Sequence, residues 1–330
     1  MNIAKLKKST PPGLRKLGGL FLTSFRYAIF RWLMPPLKHY PLYHMNLAEK
    51  GWPKITAFTA GRKYTDQIES INCGSNGYDD SSHVLEDYAK TSRPIVLKNY
   101  IVADKEKFCT LEGLKGEIGD IIGRVRVGDY DEIAGDPEFV EMRVSDFIDH
   151  LQGNSEFPYK NRLVEGKGPY LASTKLPTIA KLLPVPSFFP RSPDFTAFWL
   201  GSDSRSPLHN HMSCDVLLVQ LVGRRKVFLI PPHQAPLIGS ILRDTGICTA
   251  SFDPFEPDKE EFPGADLVNK MYFELDSGDA LLIPGFWYHA IRFTGPSFAF
   301  SQFNANVMPM SIGGGSIKPW KERSYLKGWG

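Results

Sequence analysis

The sequence predicts a mainly β (α+β) fold, one barrel or sandwich with helical additions on its N-terminal side. Three observations carry this. The 330 residues include 29 glycines and 26 prolines, a proline load that a helical bundle tolerates poorly, since each interior proline costs a helix about 3 kcal/mol. Short runs rich in β-branched and aromatic residues recur from Arg93 onward, densest after Phe195, and turn formers end them. Hydrophobic residues make up 42% and aromatics 12%, enough for a sizeable core and too much for global disorder.

The elements follow in order. Residues 13–34 read as a helix held between Pro11-Pro12 and Pro35-Pro36, and 37 to about 80 as irregular wrapping without a clear period. Arg93 to Lys98 is a short strand, and the neighbours of Val127 form another. Ser145 to Leu151 is a short helix with Ser145 as its N-cap, and Tyr170-Leu171-Ala172 is extended. Phe195 to Leu200 is a strand leading into a Gly201-to-Ser204 turn. Leu217 to Val222 and Lys226 to Ile230 flank Gly223-Arg224-Arg225 as a hairpin, stopped by Pro231-Pro232. Ala280 to Ile283, Ala290 to Phe293 and Ser297 to Phe303 are further strands. With no internal repeat, the expected organisation is an arm and wrapping segment over 1–80, one barrel domain over 81–310 and a tail over 311–330.

Charge is unevenly spread. The net +3 combines a basic arm (Lys5, Lys7, Lys8, Arg15, Lys16, Arg26, Arg31 and Lys38, with no acid before Glu49) and a net negative remainder. An acidic body argues against nucleic acid as partner. Arg26 and Arg31 interrupt the apolar run from Leu17 to Met34, and each would cost roughly 2.5–3.5 kcal/mol at a bilayer centre. Residues 13–34 therefore have three open readings: a packed arm, a membrane-surface helix, or a mitochondrial-type targeting segment. Cys73, Cys109, Cys214 and Cys248 lie far apart without a CxxC pair, which points to reduced thiols and a cytoplasmic setting.

The chemistry concentrates in histidines. His209-Asn210-His211 precedes an apolar strand, and the two-residue period of a strand puts both rings on one face. Asp215 shares that face if the strand is regular, whereas a bulge at Met212-Ser213-Cys214 would turn it away. His289 follows a Gly278-Asp279 turn, an apolar strand and a Pro284-Gly285 turn, a unit able to return a third imidazole to the first pair. Neutral imidazoles suit Fe, Zn, Cu or Ni. His39, His44, His83, His150 and His233 lack such a setting, and Asp194 and Asp203 flank a turn as caps. No GxSxG, GxxxxGK[ST], helix-opening GxGxxG, HExxH or EF-hand pattern occurs, and the Gly-rich stretch from Ile312 to Ser316 reads as tail.

The stretch from about Arg93 to Asn306 resembles the JmjC/cupin-like family of Fe(II)- and 2-oxoglutarate-dependent oxygenases. The carrying residues are Trp199-Leu200-Gly201, Ser206-Pro207-Leu208-His209, Gln220 to Lys226 through Pro231-Pro232, and the Gly278-to-His289 block. The resemblance implies a double-stranded β-helix with a metal inside one end. It also implies a hydroxylase that uses Fe(II) and the co-substrate 2-oxoglutarate. His209 matches the family's first ligand and His289 its last, while His211 stands where the family places a carboxylate. Three outcomes stay open: a three-histidine iron site that still oxidises a substrate, a three-histidine site completed by Asp215, or a degenerate metal-binding scaffold.

The same resemblance implies Arg225, two residues after the hairpin glycine, as the holder of the distal carboxylate of 2-oxoglutarate, although Arg224 and Lys226 compete for that role. Ser206 and Asn304 fall at positions near the co-substrate in relatives. Trp199, Trp287 and Tyr288, with Phe286, either line a substrate pocket or pack the barrel. The expected substrate is a small molecule or a protein or peptide.

Overall fold

A computed structural model describes residues 67–304, apart from 81–82, 128–137, 164–166, 174–178, 180–182, 190–195, 212–213, 233, 235–237, 239, 243–246, 251 and 263–264. The expected N-terminal helix, most of the wrapping segment and the tail lie outside these residues, as do His39, His44, His233 and Asp194.

Fourteen strands and three α-helices make up the described fold, which is mainly β as expected. The strands are β1 (Glu69–Asn72), β2 (Ile95–Lys98), β3 (Ile122–Val127), β4 (Glu138–Arg143), β5 (Tyr170–Ser173), β6 (Thr196–Arg205) and β7 (Leu208–His211). They continue with β8 (Asp215–Val222), β9 (Arg225–Ile230), β10 (Ser240–Leu242), β11 (Ile247–Ala250), β12 (Met271–Leu275), β13 (Ala280–Ile283) and β14 (Tyr288–Asn304). Helices α1 (Val84–Lys90), α2 (Leu111–Ile118) and α3 (Val144–Leu151) all precede β5.

One long path of paired strands runs β1-β2-β13-β8-β14-β6-β5-β3-β4. A second layer, β12-β9 and β10-β11-β7, joins it through β14. β14 is the hinge of the two layers. Its first half, Tyr288 to Arg292, pairs with β9, and its second half, Phe298 to Asn304, pairs with β8. This is the two-layered double-stranded β-helix.

Strand period builds two cores from the same strands. Leu217, Val219 and Leu221 of β8 face the helices together with Ile95, Leu97, Leu282, Phe298 and Phe300. Val216 and Leu218 face the barrel interior together with Val96, Leu281, Ile283, Ala299 and Phe303. A strand buried on both faces reads as a near-continuous apolar run, as β13 does and as β8 does apart from Asp215 and Gln220. α3 closes the outer core with Val144, Phe147, Ile148 and Leu151, a spacing that makes one apolar helix face.

Three local expectations change. Ser145 is not the N-cap of α3; Arg143 occupies that position, and the carbonyls of Ile121 and Gly119 accept from the Val144 and Ser145 N–H groups. Gly201 to Ser204 is not a turn but part of β6. Its turn formers serve a bulge against β14, where Asp203 has φ 48° and its Oδ1 accepts from Gly295 N–H at 3.1 Å. Finally, β8 and β9 do not pair with each other among the described residues, so Gly223-Arg224 is a crossing between layers rather than a hairpin turn. Gly223 is required there: its φ is +74°, and a Cβ would lie 2.3 Å from the Pro296 carbonyl oxygen.

Among the described residues, no helix is long and apolar enough to cross a membrane.

Candidate metal centre

β7 places His209 and His211 on one face, as the two-residue period demands, and Asn210 on the other. His209 is also the cross-strand partner of His289 on β14. The ring centroids lie 4.2 Å apart for His209 and His289, 5.1 Å for His209 and His211, and 5.3 Å for His211 and His289. One nitrogen from each ring lies within 4.8 Å of the others.

Backbone carbonyls orient two of the rings. Nδ1 of His209 lies 2.8 Å from the Pro207 carbonyl oxygen, and Nδ1 of His289 lies 3.3 Å from that of Trp287. A carbonyl only accepts, so Nδ1 carries the proton in both rings and Nε2 keeps its lone pair for a ligand. Burial holds His211 and His289 well below the ordinary histidine pKa of 6.5, and the charge of His209 adds to this. Neutral imidazole is the ligating form. Three converging imidazole nitrogens, two of them from buried rings held neutral, fit a transition metal ion.

The turn that delivers His289 is clamped to the strand that carries the other two. Asn210 Nδ2 donates to the Phe286 carbonyl at 3.1 Å, and Phe286 N–H donates to the His211 carbonyl at 2.9 Å. Gly285 N–H donates to Asp215 Oδ1 at 2.9 Å. These bonds hold Phe286 at φ 71°, a left-handed conformation that a bulky residue adopts only when its surroundings impose it.

Asp215 is therefore not a fourth member of the group. β7 ends at His211 and β8 begins at Asp215 in a different pairing, Asp215 opposite Asn304 and His211 opposite Ile247. The break cancels the shared face. The carboxyl braces the turn from a buried position, and desolvation pushes its pKa from 3.8 up to about 7. Cys214 is core filling beside Val216 and Trp287.

The three rings line a cavity that is partly open to solvent. Arg225, Ser206 and Trp199 lie on its wall as well. Arg225 is 2% exposed. Its Nε donates to Ser297 Oγ at 2.9 Å, an Nη donates to the Trp199 carbonyl at 3.0 Å, and its Cζ sits 4.6 Å from the Phe293 ring centroid. It has no ion pair with a carboxylate among the described residues. Burial lowers its pKa to about 10, which leaves it charged at neutral pH. A desolvated guanidinium on a cavity wall, with no ion pair among the described residues, suits a carboxylate. Arg224 points elsewhere, pairing with Asp276 at 2.6 Å and Glu274 at 3.1 Å on the surface. Ser206 Oγ accepts from Ile291 N–H at 3.0 Å and fixes the wall.

Four expected positions are not on the wall. Asn304 is buried opposite Asp215 at the end of β14. Tyr288 belongs to the apolar cluster outside the second layer, because strand alternation sends it away from the face that His289 occupies. Trp287 is fully buried in the interior cluster, and its indole N–H donates to the Ser92 carbonyl at 3.0 Å. Phe286 packs with Tyr288.

The wall also holds Arg126, Tyr170 and Arg205, which sequence reasoning did not single out. Tyr170 pairs with Arg126 across β5 and β3, and its ring stacks on Trp199 at 5.8 Å and 5°. An arginine between the valines of a buried strand, Val125-Arg126-Val127, was the available signal.

The profile of the cupin-like domain family matches residues 81–308. Two curated relatives share a shorter segment. The tRNA wybutosine-synthesizing protein 5 of Gallus gallus is 27% identical over 118 residues, 36% of this chain and 36% of its own length. Its Homo sapiens counterpart is 26% identical over 118 residues, with the same coverage. The shared segment spans about a third of these relatives.

Proposed function

Since the chain belongs to the JmjC-type, cupin-like domain family, we propose that its three-histidine cavity is the metal centre of an oxygenase, a hydroxylase using Fe(II) and 2-oxoglutarate. The convergence of His209, His211 and His289 carries this reading. Arg225 supports the co-substrate, because a buried guanidinium without an acidic partner among the described residues suits a dicarboxylate.

In this reading the three imidazoles hold the iron, and Arg225 fixes the far carboxylate of 2-oxoglutarate. Iron and 2-oxoglutarate bound there would supply the oxidising power, dioxygen being reduced as 2-oxoglutarate is decarboxylated to succinate and carbon dioxide. The protein supplies ligand orientation through Pro207 and Trp287, and apolar walls such as Val216, Leu218 and Phe303 that exclude water. Three neutral ligands leave the metal its full positive charge, in contrast to a set containing a carboxylate.

One observation favours a second reading, a metal-binding scaffold without turnover: His211 occupies the family's carboxylate position. Assays of bound metal and of succinate formation with Fe(II) and 2-oxoglutarate decide between them. Bound iron with succinate release, coupled or uncoupled, supports the oxygenase. Metal binding without turnover supports the scaffold, and no iron binding removes both.

A further inference from the structure

Among the described residues, β7 meets β14 through one residue pair, His209 opposite His289. A regular antiparallel ladder would next bring position 287 opposite His211. Instead the chain reverses from Pro284 to Trp287, in a turn closed by Trp287 N–H donating to the Pro284 carbonyl at 3.2 Å. Phe286 stands third in that turn with φ 71°, a place that usually takes glycine. The glycine of the turn, Gly285, stands one place earlier.

His211 is thus registered against His289 through the turn and not through a ladder pair. Its carbonyl accepts from Phe286 N–H at 2.9 Å. Asn210, 1% exposed and on the opposite face of β7 from the two histidines, donates from Nδ2 to the Phe286 carbonyl at 3.1 Å. β7 therefore grips both backbone polar groups of Phe286, one on each side of its strained φ. The Phe286 ring belongs to the same apolar cluster as Leu208 and Tyr288, which adds a third hold. A side-chain-bearing residue at positive φ relaxes when such holds are cut. His211 is the ligand whose backbone would move with it.

We propose that Asn210 is a positioning residue of the metal centre. Its bond to the Phe286 carbonyl fixes where His211 stands relative to His289, and through that it sets the affinity for the ion. This role rests on the metal-centre reading of the three histidines and not on oxygenase turnover.

The test measures Co(II) in the full-length protein by chelator competition and by visible absorption, with urea unfolding of the metal-free protein in parallel. In Asn210→Ala the Co(II) dissociation constant should rise about tenfold, the worth of one buried hydrogen bond expressed as affinity. The absorption band should shift as well, because a displaced His211 changes the geometry at the ion. A cycle with His211→Ala separates positioning from packing. Once the His211 ring is absent, adding Asn210→Ala should leave the Co(II) constant within about twofold. If Asn210→Ala fails to fold, Asn210→Ser, which keeps more volume but lacks the amide, takes its place in the same cycle.

Unchanged affinity and an unchanged band in the folded Asn210 variant overturn the inference. So does an equal loss with and without the His211 ring, since Asn210 then acts on the fold and not on that ligand. Failure of the metal-centre reading looks different: the wild-type protein itself binds no Co(II), and the role of Asn210 falls with it.

Discussion

His209 and His289 are directly opposed residues on neighbouring antiparallel strands, with ring centroids 4.2 Å apart. Strand pairing therefore brings together two of the three rings of the candidate metal centre. His211 joins from the next same-face position of β7. Pre-assembled ligands lower the ordering cost of binding.

Removing either opposed ring should abolish metal binding. His209→Ala and His289→Ala are expected to lose stoichiometric Co(II), read from its visible absorption and from metal analysis after gel filtration. His211→Asp should keep or raise iron affinity, since it restores a charged ligand at that position. A folded His211→Asp protein that no longer binds metal would show that position 211 does not serve the metal.

Metal affinity should resist mild acid. Solvent-exposed histidines lose metal to protons below pH 6.5, but His211 and His289 sit well below that value through burial. The Co(II) dissociation constant is expected to change little from pH 8 to pH 6. A steep loss centred near 6.5 would contradict this picture.

Asp215 gives the metal-free protein a stability change of the opposite pH sense to a salt-bridged acid. Its folded pKa of about 7 lies above the reference 3.8. Between those values the native state keeps a proton that the unfolded chain has lost, so stability falls as pH rises, and the full penalty is present above about 7. Asp215→Asn lacks this penalty and can still accept from Gly285 N–H. Its stability relative to wild type should rise from pH 4.5 to pH 8 by on the order of a few kcal/mol, measured by urea unfolding. Parallel curves would place the carboxyl in a wetter setting.

Arg225→Lys should weaken 2-oxoglutarate by about tenfold or more while leaving Co(II) bound, because an ammonium cannot reproduce the guanidinium fork. Calorimetry on the metal-loaded protein reads both constants. Equal 2-oxoglutarate affinity would remove Arg225 from the co-substrate site.

Gly223→Ala tests the crossing between layers. Its φ of +74° costs a side-chain-bearing residue about 1–3 kcal/mol, and the 2.3 Å approach to the Pro296 oxygen adds to this. The melting temperature should fall by several degrees, with metal binding retained in the folded fraction.

Local pattern made much of this protein legible. The apolar strands announced a mainly β fold, because burial on both faces writes a near-continuous apolar run into β8, interrupted by Gln220, and a continuous one into β13. The period of two put His209 and His211 on one face, and the Gly278-to-His289 block brought back the third ring. Arg225, Ser206 and Trp199 lie on the cavity wall.

What the tertiary structure alone decided are the places where backbone pairing changes partner. The break between β7 and β8 removed Asp215 from the ligand group. The layer crossing at Gly223 replaced a hairpin, and the reversal at Phe286 sent Trp287 and Tyr288 into the cores. Arg126 and Arg205 reached the cavity through pairing across β3, β5 and β6. Sequence period specifies the face of a side chain only while the strand stays regular. Bulges, breaks and crossings reset that face, and the contacts that impose them come from residues far away in the chain.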